Sequence, residues 1–331
     1  MYYPRLMTLA IRIHRTGGPD VLQLDDLPVG DPGPGQVLLR HTAIGINYID
    51  TYHRSGLYPV ASLPSGLGME AAGVVEAVGE GVSEVTVGDR VAYAGGPLGA
   101  YASRRVFPAN RLVPLPEHVS DEVAAAVLLK GMTVEYLVRR TFPVKPGQTV
   151  LLHAAAGGVG LLACQWLAHI GATVIGTVGS DEKAAIAKRH GCTHPIVYTR
   201  ESFVARVKEL TDGRGVPVVY DSVGLATFES SLDCLSPRGM LVSFGNASGK
   251  PPLLNVNMLS EKGSLYVTRP TLMSYTSTRA ELLESAGLVF DLIKQGALRV
   301  EINQRWGLAD AATAHRALEA RTTTGSSLLI P

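Results

Sequence analysis

The sequence predicts an α/β protein in which a doubly wound parallel sheet follows a mostly β region. Three observations carry that expectation. A glycine-rich turn, "HAAAGGVG" at 153–160, stands between a short apolar run and a helical one. Apolar runs of strand length then alternate with helix-length stretches as far as residue 270, which is the rhythm of βαβ units. Residues 1–125 lack that rhythm; short runs such as "QVLLRHTAI", "AAGVVEAVG" and "VGDRVAYA" are broken by Gly and Pro, as in a compact, mostly β domain.

Length and composition set the frame. The 331 residues exceed the roughly 250–300 at which one core stops growing, so two domains are expected. With 36 Gly, 20 Pro and 46% hydrophobic residues, the chain is turn-rich and has ample core. Thirty Lys and Arg against 29 Asp and Glu leave a net charge of +1 without a long run of either sign, so nucleic acid is not an expected partner. Cys164, Cys192 and Cys234 are widely spaced and odd in number, fitting a reducing compartment and buried, unbridged thiols. Arg5, Arg12, His14 and Arg15 leave no room for the apolar core of a secretory leader. Pro146–Ser180 contains no charged residue, but Gly157, Gly158 and Gly171 cut it into strand- and helix-length pieces, so it reads as a buried strand–helix–strand unit rather than a membrane span.

That unit opens with Thr149–Leu152 as a central strand. Val159–Ile170 follows as a helix of about 18 Å, and Thr173–Val178 as the next strand. In the G-x-G-x-x-G fingerprint the first glycine makes the tight turn, the second admits the pyrophosphate and the third lets helix and strand pack. Gly157 and Gly160 hold the second and third places, and Ala155 the first. The helix N-terminus still offers N–H groups and a positive dipole end to a phosphate, so Gly157, Gly158, Val159 and Gly160 are expected to bind a dinucleotide.

The acidic residue that would bind the ribose hydroxyls of NAD is missing, since Thr177, Val178, Gly179 and Ser180 stand there. Asp181 is expected in the first turn of the next helix instead. Thr177, Ser180, Lys183, Tyr198 and Arg200 offer hydroxyls and cations that suit a 2′-phosphate, which favours NADP. Further strands are expected at 216–224, 239–249 and 263–270, with helices near 201–211 and 225–235. Strand ends line the ligand crevice of such sheets, which marks Asp221-Ser222, Phe244-Gly245 and Val267-Thr268. Helices are expected again at 279–296 and 308–320, the tail packing back on the N-terminal part.

Several stretches in order carry a family likeness: "GINYIDTYHRSGLYP" (45–59), "LPSGLGMEAAG" (63–73), "LLKGMT" (128–133), "HAAAGGVG" (153–160), "VVYDSVG" (218–224), "VSFGNASG" (242–249), "GSLYVTRP" (263–270) and "TTTGSSLLIP" (322–331). Over essentially its whole length the chain resembles the zinc-independent medium-chain dehydrogenases/reductases, specifically the NADPH:quinone oxidoreductases related to zeta-crystallin. The resemblance implies a Rossmann doubly wound sheet inserted in a GroES-like, mostly β catalytic domain. The implied boundaries are 1–128 for the GroES-like part, 129–270 for the NADP-binding domain and 271–331 for a return to the first.

At the places where the zinc alcohol dehydrogenases of this superfamily carry Cys, His and Cys, the resemblance puts Asn47, Met69 and Lys130, which are poor zinc ligands. No metal is expected, and the cofactor, NADPH, supplies the chemistry. By the same resemblance Asn47, Tyr52, Lys130 and Thr133 lie near nicotinamide and substrate, and Gly157, Gly158, Val159 and Tyr198 along the pyrophosphate and adenosine. Phe244, Gly245 and Val267 are on the nicotinamide side, with Arg321 of the tail reaching the cofactor. His41, His53 and His153 are expected to be structural. The implied protein is a cytoplasmic homodimer that reduces a small-molecule quinone and has no membrane segment. Reduction of an enal or enone, and a non-enzymatic NADPH-binding crystallin or RNA-binding role, are the competing readings.

Overall fold

The computed structural model describes residues 6–331. Arg5, one of the residues on which the leader expectation rests, lies outside them. The chain divides into two compact units. One comprises the chain through Leu129 with Thr276–Phe290 and Val300–Pro331, and the other Lys130–Tyr275 with Asp291–Arg299. The division differs from the expected return of all of 271–331 to the first unit, because residues 271–275 and Asp291–Arg299 belong with the second.

In the second unit six strands form one parallel sheet. They run, edge to edge, His194–Val197, Thr173–Val178, Thr149–Leu152, Val216–Asp221, Leu235–Ser243 and Tyr266–Thr268. Counted along the chain the order is 3-2-1-4-5-6, that of a dinucleotide-binding sheet, and it reverses beside Thr149–Leu152. Helices cover both faces of such a sheet, so its strands are apolar on both sides; Leu151, Ile175, Ile196, Val219 and Leu241 form its core. The strands at 149–152 and 173–178 fall where the sequence puts them. Leu235–Ser243 starts earlier than residue 239, because the polar Ser236–Gly239 stretch sits inside the strand at a break in register.

The first unit holds a three-stranded sheet (Leu22–Pro28, Met7–Ile13, Ser65–Gly66) and a seven-stranded one. Gln36–Ile46 is the spine of the larger sheet, pairing with Glu70–Val78, Arg104–Pro108 and Ser326–Ile330. The tail therefore does pack back on the N-terminal part, through an antiparallel strand that puts Leu329 against Ile44. Helix Ala311–Glu319 seals the same core through Ala311 and Ala314. Helix Asp121–Glu135, not anticipated, is apolar nearly all round and so shows no amphipathic stripe. No described helix is long and apolar enough to cross a membrane.

Candidate active site

The glycine turn is built differently from the fingerprint. Its tight bend falls on Ala154, whose φ of 55° is left-handed, a conformation that costs an alanine about 1–2 kcal/mol. Ala155 is buried, and its methyl faces Gly176 of the next strand; a Cβ on Gly176 would come within 2.7 Å of it. The methyl in the first fingerprint place is thus accommodated by a missing side chain across the sheet. At Gly160 a Cβ would lie 2.2 Å from the Ala154 carbonyl oxygen, so only glycine fits. Gly157 precedes helix Gly158–Ile170 and no side chain caps it. The N–H groups of Gly158, Val159 and Gly160 therefore lack a side-chain acceptor at the positive end of a 13-residue helix. These residues fit a pyrophosphate.

Ser180 caps helix Asp181–Arg189, accepting the Lys183 N–H at 3.3 Å. Asp181 stands in the first turn, as expected. The Tyr198 hydroxyl is beside Gly179, where a Cβ would be 3.1 Å from it. Arg200 donates to both oxygens of Asp181 at 2.6 Å. Ser180, Lys183 and Tyr198 thus come together at the end of the second strand.

Thr177 and Asp221 require a correction. Thr177 is 3% exposed, and its hydroxyl lies 2.9 Å from His153 Nδ1. His153 Nε2 lies 2.9 Å from Ser231 Oγ, and Ser231 donates to Asp221 Oδ2 at 3.1 Å. Because Ser231 spends its proton on Asp221, it accepts from His153, and His153 Nδ1 then accepts from Thr177. Asp221 further accepts the Val223 and Gly224 N–H groups and the Thr227 hydroxyl. The buried chain links the ends of three strands, and the two side chains face the core instead of a ligand. Burial holds the His153 pKa below its ordinary value. Ser222 and Gly245 remain at the strand ends, in backbone contact, since a Cβ on Gly245 would be 2.3 Å from the Ser222 carbonyl. Phe244 N–H donates to Asp221 O at 2.8 Å, and Val267 pairs with Leu241 in the adjacent strand.

In the first unit Asn47 is the N-cap of helix Tyr48–Ser55 and forms a capping box with Asp50. Its N–H donates to Asp50 Oδ2 at 2.8 Å, while its side chain accepts the Asp50 N–H. Asn47 Nδ2 donates to Glu70 Oε2 at 2.8 Å, and Glu70 Oε1 accepts the Leu129 N–H at 2.7 Å. Glu70 is fully buried, and Gly45 leaves it room, since a Cβ there would be 2.3 Å from Oε2. The amide oxygen and one amide hydrogen of Asn47 are therefore committed, which fixes the direction of the second hydrogen. Tyr52 is buried, its ring between those of Tyr48 and Tyr58. Lys130 and Thr133 are both buried, one turn apart on helix Asp121–Glu135, in the second unit. Arg321 is exposed in the first unit, at φ 58° just beyond helix Ala311–Glu319.

Glu70 and Asp50 were missed by sequence reasoning. The one available signal was a lone carboxylate heading the apolar run "EAAGVV", since an unpaired charge does not enter a core. His41 is structural, its Nδ1 donating to the Ala102 carbonyl at 2.7 Å and its Nε2 facing the Tyr93 hydroxyl. Among the described residues no group of three or more His, Cys, Asp or Glu could hold a metal.

The 3-2-1-4-5-6 sheet, the uncapped glycine turn and the separate β unit define a medium-chain dehydrogenase/reductase. Residues 33–117 match the alcohol dehydrogenase GroES-like domain and residues 158–286 the zinc-binding dehydrogenase domain. The quinone oxidoreductase of Pseudomonas aeruginosa is 56% identical over 98% of this chain and 100% of its own. The crystal structure of Escherichia coli quinone oxidoreductase complexed with NADPH is similar at a TM-score of 0.96, with 52% identity over 98% of this chain and 100% of that one. A 2-haloacrylate reductase from a Burkholderia species is 48% identical, over 98% and 99% of the two chains. The chain belongs to the quinone oxidoreductase family.

Proposed function

We propose that this protein reduces quinones with NADPH, without a metal. The observation that carries the reading is an intact, uncapped nucleotide turn in a chain that matches quinone oxidoreductases over its full length. When bound, NADPH supplies the hydride. Gly157, Gly158, Val159 and Gly160 hold its pyrophosphate through backbone N–H groups. Ser180, Lys183 and Tyr198 take the 2′-phosphate, and the backbone around Ser222, Phe244, Gly245 and Val267 lines the nicotinamide. Arg321 adds a cation to the cofactor's phosphates. Lys130 and Thr133 orient the substrate.

Asn47 points its remaining amide hydrogen at the quinone oxygen on which charge develops, a donation worth a few kcal/mol in a dry site. Tyr52, packed between two rings, acts as an aromatic wall. Nothing in this set is a strong acid, which suits a quinone: its reduced form is a stabilised oxyanion that solvent can protonate. A carbon–carbon double bond instead needs a proton delivered to carbon. The test is a steady-state panel with NADPH, quinones of graded size, simple enals and 2-haloacrylates, run with and without a chelator. Quinones are expected to give the highest kcat/KM, unchanged by chelation. An enal or haloacrylate at the top of the panel overturns the reading.

The same proposal places the protein in the cytoplasm as a homodimer. Tyr266–Thr268 is the last strand of its sheet, Tyr266 is 58% exposed, and Leu253 and Val256 nearby in sequence are also exposed. An apolar sheet edge of this kind is managed by pairing or covering it, and a second copy of the chain would do so. Light scattering at micromolar concentration is expected to give twice the chain mass; a monomer overturns the dimer.

A further inference from the structure

The first unit contains a second buried polar array, and its partners fix every proton in it. Arg54 is 2% exposed and donates Nη1 and Nη2 to the two oxygens of Glu319 at 3.0 and 2.6 Å, and Nε to the Gly17 carbonyl. Its Nη1 also lies 3.0 Å from His315 Nδ1. A guanidinium only donates, so His315 Nδ1 accepts and the imidazole proton sits on Nε2. Nε2, 3.0 Å from the Tyr101 hydroxyl, therefore donates to it. Tyr101 in turn donates to Asp50 Oδ2 at 2.8 Å. That same oxygen accepts the Asn47 N–H that closes the capping box.

All donors thus run one way, from the Arg54 guanidinium to the Asp50 carboxyl group. The array joins two elements far apart in sequence, helix Ala311–Glu319 and helix Tyr48–Ser55, at the residue whose amide direction matters. His315 cannot take up a second proton without losing the Arg54 bond, and burial beside that cation pushes its pKa down to about 3. The array therefore keeps its direction through the physiological range.

We infer that Tyr101 and His315 are positioning residues for the reduction: through Asp50 they hold the Asn47 cap, and with it the Asn47 amide hydrogen, aimed at the substrate oxygen. They touch no substrate themselves. The inference rests on the role given to Asn47 above.

The test uses Tyr101→Phe, His315→Gln, His315→Leu, Asn47→Ala and the Asn47→Ala/Tyr101→Phe double variant. Tyr101→Phe and His315→Leu are expected to lower kcat about tenfold to a hundredfold, as misplaced groups do, while the NADPH Kd read by fluorescence is unchanged. His315→Gln keeps an acceptor for Arg54 and a donor for Tyr101, so it should retain most of the rate. In the Asn47→Ala background Tyr101→Phe should add less than about a twofold effect, the scatter of additive energies. Hydrogen exchange of the Asn47 amide, measured without cofactor, should speed up in Tyr101→Phe and not in His315→Gln. A parental kcat in Tyr101→Phe, or effects that multiply in the double variant, overturns the positioning role. If Asn47→Ala alone keeps the parental kcat, it is the role of Asn47 that fails, and faster exchange in Tyr101→Phe would then show a cap held for stability only.

Discussion

One methyl group decides how the nucleotide turn is made. Ala155 fills the place where the fingerprint asks for glycine, and the strain moves to Ala154, which bends left-handed in its stead. Gly176 yields the volume that Ala155 takes. The turn still suits the role proposed for it, because what a phosphate needs is the row of N–H groups after Gly157, and no side chain caps them. At the other end of the nucleotide the proposed cofactor site turns on Lys183. Arg200 is bound to Asp181, and Lys183 is the cation proposed for the 2′-phosphate. A charge-assisted hydrogen bond is worth roughly 1.5–3 kcal/mol, and exposure at the rim keeps this one near the low end. Lys183→Ala is therefore expected to weaken NADPH about tenfold, at 1.4 kcal/mol per decade, and to leave NADH nearly unchanged. Fluorescence titration with both cofactors reads this directly; equal losses for the two would remove Lys183 from the phosphate site.

At the level of elements, the strand Glu70–Val78 and the helix Tyr48–Ser55 meet through one carboxylate. Glu70 accepts from Asn47 Nδ2 and from the Leu129 N–H, so it ties the cap of one helix to the backbone of another. In Glu70→Gln the amide nitrogen must face one of these two donors, which leaves a buried group unsatisfied at a cost of about 1–3 kcal/mol. Urea unfolding should show that loss, and quinone kcat should fall with it; a variant as stable and as active as the parent would break the link. These elements differ in how far the sequence announces them. The strands Thr149–Leu152 and Thr173–Val178 are legible because a central parallel strand is apolar on both faces and the turn between them is marked by glycine. Ile302–Gly307 and Ser326–Ile330 are not: the first is a half-buried alternation of only six residues, and the second is a short buried run whose other partner, Gln36–Ile46, lies far away in the chain. The same holds at the site. The glycine turn and the start of the next helix at Asp181 are local patterns, whereas Arg54 and His315 are 261 residues apart, and no local pattern shows that they touch. Thr177 is a related case: its place in the chain suits a 2′-phosphate, but its hydroxyl meets His153, which follows another strand.

For the molecule as a whole, the buried histidines set a limit on the acid side. His41 and His315 are both pushed down to about 3, mainly by burial, with Arg105 acting against a charge on His41 and Arg54 against one on His315. Burial lowers His153 as well, with Asp221 opposing the shift. In the unfolded chain each imidazole has its ordinary pKa of about 6.5. A lowered folded-state value means that the unfolded state binds protons first as the pH drops. The contribution is intact above pH 6.5 and is lost as the pH falls from there towards 3. At pH 5 the unfolded state gains about 2 kcal/mol for each such group, so His41 and His315 together remove about 4 kcal/mol. That is a large part of the 5–15 kcal/mol that holds an ordinary domain folded. Urea midpoints measured between pH 7.5 and 5 should fall steeply below 6.5, and His315→Gln, which has no proton to gain, should flatten the slope by about one proton. A parent protein whose stability is level across that range would mean that these imidazoles are not held neutral by the fold.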